Sequence, residues 1–366
     1  MNAPHKQRGL SLIELLVAMT IGAVLIFGAT QVYVNSRKAY GINEGVARLQ
    51  ETARYAMSVI EPDVRMSNYW GLLKGGAVIS GQASQTAAAA AVASTAAANI
   101  CGRNFATDLS TNLQGDNNAY IISTSFKTAG CEALLDLNTG TAWATTPVTT
   151  ADTLTVRRAS VFDATATAGQ LQLCTSRIAG RMISDGSACA GAAVGLADAA
   201  ATAKLENLIV DTYYVDRNSQ QQAGLPSLRR KTVTTAGGAI QFRDQEIIAG
   251  VEDMQVQFGI DPLGNTGIAT RYVNPDGVPA GAQIVAVRVW LLVRSDTPEN
   301  GFIDNRIYTY GDRLQATGIT GDLNSAAGAG MAYQPSLSAD TSFTGPQRVR
   351  RLLISRTIQL RNALGT

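Results

Sequence analysis

The chain has 366 residues, 46% hydrophobic and 16% charged, which is enough apolar content to bury a sizeable core and argues against a disordered scaffold. Its formal charge of +2 comes from the head. Without Lys6 and Arg8 the 30 basic side chains fall to 28, level with the 28 acidic ones, so no electrostatic footprint for nucleic acid remains. The one histidine, His5, also lies in the head, leaving no imidazole downstream for a general base, a Ser-His pair or a His-ligated zinc. Neither a GxSxG elbow nor a GxxxxGK loop occurs, so no catalytic residue, cofactor or metal site is expected.

In chain order, the first feature is the run Arg8-Gly9-Leu10-Ser11-Leu12-Ile13-Glu14, followed by an uncharged apolar stretch from Leu15 to Val34. Those twenty residues span about 30 Å as a helix, the thickness of a bilayer core. An acid at the centre of such a helix costs about 2.5–3.5 kcal/mol and less near an interface, so Glu14 is tolerable at its mouth but wants a partner. A cleaved signal ending near Gly28-Ala29-Thr30 and a plain uncleaved anchor are both conceivable, but neither gives a meaning to Gly9 or Glu14. His5, Lys6 and Arg8 precede the run and Arg37 and Lys38 follow it, so only the shortness of the head favours a cytoplasmic N-terminus. The bulk then lies outside the cytoplasm.

Beyond the membrane-spanning stretch, Ile42, Val46, Leu49, Ala53, Ala56 and Ile60 recur at helical spacing. One helix is predicted from Leu10 to Glu61, about 75–80 Å long, ended or kinked by Pro62. Its apolar stripe is expected to pack on a globular domain.

Residues 74–150 read as an insertion, with the Ala-rich tract 85–98 on its surface. Within it Tyr120 to Thr124 reads as a strand and the part containing Cys131 and Trp143 as a long loop. Asp136-Leu137-Asn138-Thr139-Gly140 is a fragment of a calcium-loop pattern without its distal Glu and reads first as a turn, with a cation as the alternative. Thr153 to Arg158, Leu208 to Val215, Val251 to Ile260, Val285 to Val293 and Leu352 to Leu360 are predicted strands of an antiparallel sheet. In the third of these, Met254, Val256, Phe258 and Ile260 face a core and Asp253, Gln255 and Gln257 face water. The basic clusters Arg229-Arg230-Lys231 and Arg348 to Arg351 read as solvated strand faces. Four cysteines at Cys101, Cys131, Cys174 and Cys189 suit an oxidising compartment. Nearest-neighbour closure favours Cys101 with Cys131 and Cys174 with Cys189, with the other connectivities and free buried thiols still open.

The head resembles the type IV pilins and their pseudopilin relatives, whose short basic leader ends in Gly and whose mature chain carries Glu at its fifth position. The resemblance implies cleavage between Gly9 and Leu10 by a membrane prepilin peptidase, N-methylation of Leu10, and pairing of Glu14 with the amino terminus of a neighbouring subunit. Leu10 departs from the Phe usual in major pilins. The pattern Gly250 to Gly259, then Val287 to Arg294, then a closing strand ending near Arg361-Asn362, resembles the PilW-type minor pilins. The expected fold is α+β and pilin-like: leader 1–9, transmembrane half-helix 10–34, amphipathic half-helix 35–62, and a periplasmic β-rich body 63–366 with an insertion at about 74–150. The implied function is that of a non-catalytic minor pilin of the inner membrane and fibre, priming or capping assembly. Implied partners are other minor pilins, the major pilin, and a large adhesin at the tip, with no nucleic acid. A J-type secretion pseudopilin and an anchored periplasmic binding or adhesive domain are the alternative readings.

Overall fold

The computed structural model describes residues 11–82, 103–120, 135–136, 146–189, 203–236, 239–264, 266–324, 328–342 and 345–363. The chain divides into two compact units, one ending at Arg48 and one running from Leu49. A single helix, α1 (Leu12–Arg65), supplies nearly all of the first unit and the opening of the second.

Within the first unit α1 is long and apolar enough to cross a membrane, and none of its apolar window is buried. Leu16, Ile26 and Phe27 are among its exposed side chains. Within the second unit the helix turns one face inward, burying Leu49, Ala53, Ala56, Met57, Ile60 and Val64. Burial of the expected stripe therefore begins at Leu49, while Val46 stays exposed. Pro62 does not end the helix, which continues to Arg65. A proline removes one backbone bond to the carbonyl four residues earlier, and here both Pro62 and that residue, Ser58, are on the exposed side, where that carbonyl need not be buried unpaired. The Met66 N–H still donates to the Pro62 carbonyl at 3.0 Å.

The body is built from β1 (Ile79–Ser80), helix α2 (Arg103–Thr107), β2 (Leu113–Asp116), β3 (Leu135–Asp136), β4 (Thr153–Asp163), β5 (Ala168–Thr175), β6 (Gly180–Asp185), β7 (Lys204–Asp216), β8 (Ser227–Ala236), β9 (Ala239–Ala249), β10 (Val251–Asp261), β11 (Arg271–Val273), β12 (Gln283–Arg294), β13 (Leu314–Thr320), β14 (Met331–Tyr333) and β15 (Arg351–Gln359). A nine-stranded sheet runs β1-β6-β5-β7-β8-β9-β3, with β4 also on β7 and β2 on β4. A four-stranded sheet runs β11-β10-β12-β15, and β13 pairs with β14. The long pairings are antiparallel, as expected without helical crossovers; β1 with β6, β3 with β9 and β13 with β14 are short parallel contacts. Every strand predicted from Thr153 onward is present.

One core cluster joins the α1 face to Met254, Val256, Phe258, Val287, Val289 and Leu291 of the smaller sheet. A second gathers Trp70, Phe105, Leu109, Leu173, Leu208 and Phe242. Each such side chain, fully buried, contributes about 1.5–3 kcal/mol. Parts of 74–150 thus belong to the core: Phe105, Leu113 and Val148 are buried, and β2 pairs with β4. The Ala-rich tract, residues 121–124 and residues 137–140 lie outside the described residues, and β3 forms within the stretch read as a loop.

Three expectations are corrected by burial. The β10 strand is covered on both faces: Asp253 is 0% exposed and Gln255 1%, because Thr150 and Arg313 lie over that side. Arg229 and Lys231 are buried, not solvated, and so is Arg351. Each guanidinium has a carboxylate in the core, which is the condition under which a buried charge is tolerated. Cys174 and Cys189 form a disulfide with Cα atoms 5.4 Å apart, the pairing favoured from the spacing. Cys101 and Cys131 lie outside the described residues.

Candidate assembly interface

Gly9 and Leu10 lie outside the described residues, so the site begins at Ser11. Ser11 caps α1 in a reciprocal arrangement with Glu14. The Glu14 backbone N–H donates to Ser11 Oγ at 3.3 Å, and the Ser11 N–H donates to Glu14 Oε2 at 3.0 Å. This is a capping box, which satisfies two of the donors that a helix start leaves open. The carboxylate also sits at the positive end of the helix dipole. The signal was in the sequence as Ser-x-x-Glu directly before an apolar run, and sequence reasoning assigned Glu14 only an intermolecular role. Glu14 therefore has a partner within its own chain.

In the body, the helix exit is fixed by polar contacts that sequence reasoning missed. Arg158 Nη2 and the Tyr213 hydroxyl each donate to the Asp63 carboxylate at 2.5 Å. Asn68 adopts a left-handed backbone at φ 63, which turns the chain out of α1. Its Oδ1 accepts the Trp70 indole N–H at 2.7 Å, so a fully buried Trp has its donor satisfied. Arg356 reaches Glu61 at 2.7 Å, joining β15 to the helix.

Behind this lie three ion-pair groups. Arg351 makes a bidentate pair with Glu252, at 2.5 and 2.9 Å, and the Tyr333 hydroxyl donates to the same carboxylate at 3.3 Å. Burial pulls the Glu252 carboxyl up, but Arg351 outweighs it and holds the group below the usual range. Arg313 pairs with Asp253 at 2.5 and 3.0 Å. Arg229 pairs with Asp244 at 2.7 Å and Glu246 at 3.2 Å, with the Tyr214 hydroxyl on Asp244 at 2.5 Å. Lys231 lies 5.0 and 5.1 Å from the Tyr120 and Tyr214 ring centres, and burial lowers its ammonium to about 8. These charges pair with one another inside the body. An open cleft of about 970 Å³ is lined by Arg217, Arg294, Glu252, Asp322 and Asp340, and among the described residues no three His, Cys, Asp or Glu side chains are grouped to hold a metal.

Comparison with known families matches residues 4–30 to the prokaryotic N-terminal methylation motif and residues 212–362 to PilW, described as type IV pilus-assembly protein W. These two matches, with the exposed apolar helix ahead of a β-rich body, support a type IV pilin family for the chain. Its C-terminal half carries the PilW pilus-assembly module, from β7 to the hydrogen-bonded Asn362. No curated protein and no solved structure matches the chain. PilW is described as a family of pilus-assembly proteins.

Proposed function

We propose that the chain is a non-catalytic minor pilin that primes or caps type IV pilus assembly. Prepilin peptidase removes residues 1–9, Leu10 becomes the methylated N-terminus, and the apolar half of α1 holds the subunit in the inner membrane with its body in the periplasm. On extraction from the bilayer the same helix packs among those of other minor pilins and the major pilin, and the body selects its neighbours, including a tip adhesin. Glu14 then exchanges its capping contact for the freed amine of an adjoining subunit, since opposite charges in a low-dielectric setting attract strongly when matched. The observation carrying this reading is the exposed apolar surface of α1, with Glu14 capped at its start, on a chain that also carries the PilW module.

N-terminal sequencing of the membrane-extracted protein tests it. A chain beginning at Leu10 is expected, and one beginning at Met1 or Gln31 overturns the proposal.

A further inference from the structure

Two carboxyl groups meet inside the body where α1 ends. Asp63 lies in the last turn of α1 and Asp211 on β7, and both are buried. Asp63 is fully served. Arg158 on β4 gives two N–H groups to its Oδ1, at 2.5 and 3.2 Å, and the Tyr213 hydroxyl donates to its Oδ2 at 2.5 Å. Tyr213 is two residues beyond Asp211 on β7, so the two side chains share a face of the strand. On that face the Asp211 carboxyl comes within hydrogen-bonding reach of Asp63.

Asp211 is served much less well. Its Oδ1 is shielded from solvent and accepts no hydrogen bond, while its Oδ2 meets Arg230 Nη1 on β8 only at 3.5 Å. Arg230 spends Nη2 on Gln245 at 3.0 Å, faces the Tyr213 hydroxyl as well, and keeps a buried Nε without a partner. Thr232, directly across from Asp211 on β8, brings one hydroxyl to the same carboxyl. A buried carboxylate oxygen with no donor is costly, and a second carboxylate beside it makes it costlier. A proton on Oδ1 removes both costs, because Asp211 then donates to an Asp63 oxygen that has its own guanidinium. Burial, then the Asp63 charge, pushes the Asp211 carboxyl up to about 7, in keeping with this arrangement.

We propose that Asp63 and Asp211 share one proton, and that this carboxyl–carboxylate bridge is a pH-sensitive latch holding the last turn of α1 to β7. The charged and titratable groups facing the bridge are Arg158 on β4, Tyr213 on β7 and Arg230 on β8; Arg158 acts through Asp63, and Arg230 opposes the proton at Asp211 directly. When the helix exit opens, Asp211 meets water, returns to the ordinary carboxyl range near about 4, and releases the proton. The latch therefore has its full strength below about pH 4, loses it as pH rises to about 7, and stays level above. The helix exit is held tightest in acid and opens most readily at and above neutrality.

Hydrogen–deuterium exchange of the full-length protein in detergent tests this, read on peptides covering residues 58–70 and corrected for the intrinsic effect of pH on exchange. Between about pH 5 and 7 protection there should fall by up to about tenfold per pH unit and then level off. Asp211→Asn keeps a donor toward Asp63 at every pH and should remove this dependence. Tyr213→Phe takes a donor from Asp63, so the pair holds its proton more tightly and the levelling point should move to higher pH. That variant decides the matter if Asp211→Asn fails to fold. Protection in the parent that ignores pH, a dependence that Asp211→Asn retains, or a levelling point that Tyr213→Phe leaves in place overturns the proposal. So does protection at 58–70 equal to that of β12 at every pH, since the proton is then felt by the whole fold and not at the helix exit.

Discussion

Asn68 and Asn362, 294 residues apart, are joined by a hydrogen bond at the helix exit, and Asn362 returns a second one to Ser67. Asn68 Nδ2 donates to the Asn362 carbonyl at 2.8 Å, and Asn362 Nδ2 donates to the Ser67 carbonyl at 3.4 Å. Asn68→Ala should cost about 2–4 kcal/mol, since it strands the Trp70 indole N–H and forces Ala into a left-handed backbone. Asn68→Gly keeps the backbone and should cost less. Urea unfolding of the two variants checks the order.

The Glu252 and Arg351 pair is buried at both ends. Glu252→Gln leaves a guanidinium inside the protein without its main counter-charge and should destabilise by about 3–5 kcal/mol. Replacing both partners, as Glu252→Leu with Arg351→Met, should recover most of that loss. A double-mutant cycle read by thermal unfolding shows whether it does.

Asp211 sits on β7 with Asp63, Arg230, Tyr213 and Thr232 around it. Burial, then the nearby Asp63 carboxylate, pushes its carboxyl up to about 7. Between about pH 4, where an unfolded Asp titrates, and about 7 the native state holds a proton the unfolded chain has released. Stability from this group is therefore full below the window, falls as pH rises through it, and levels off above. Asp211→Asn should flatten that part of the slope, measured as unfolding temperature from pH 4 to 8. If the variant's slope matches the parent's, the carboxylate pair does not control it.

Reducing the Cys174–Cys189 bridge, with a sequence separation of 15, should cost about 3 kcal/mol through the freedom returned to the unfolded chain. Cys189→Ser should lower the unfolding temperature in oxidising buffer and make it less sensitive to dithiothreitol than the parent's.

At the head of α1, two roles of Glu14 are separable. Ser11→Ala breaks the capping box, costing about 0.5–2 kcal/mol of helix stability, yet leaves the charge. Glu14→Gln keeps an acceptor for the Ser11 N–H and loses the charge. Pull-down with other pilins should weaken with Glu14→Gln and persist with Ser11→Ala; the reverse pattern would mean that the cap alone matters.

The sequence showed the periodic features: the apolar run, the α1 stripe from Leu49, the strands from Thr153 onward and the Cys174–Cys189 pairing. It misled where a charge follows strand period yet faces a covered side. Arg229, Lys231, Asp253 and Arg351 look like solvent positions, because alternation tells which residues share a face and not what covers it. Their partners are distant in the chain, Glu252 and Arg351 by 99 residues and Arg313 and Asp253 by 60. Pro62 does not end the helix, because the carbonyl it leaves without an N–H belongs to Ser58 on the exposed side of α1. The capping box is legible as Ser11 and Glu14 three residues apart directly before the apolar run.

The closing strand β15 carries Arg351 to Glu252 and Arg356 to Glu61, and Asn362 just beyond it reaches Ser67. Such contacts, spanning most of the polypeptide, have to wait for distant segments to meet and make for slow folding. Without β15, Glu252 has no main counter-charge and the helix exit no clasp, so a chain interrupted within that strand should be far more open to proteases than the intact one.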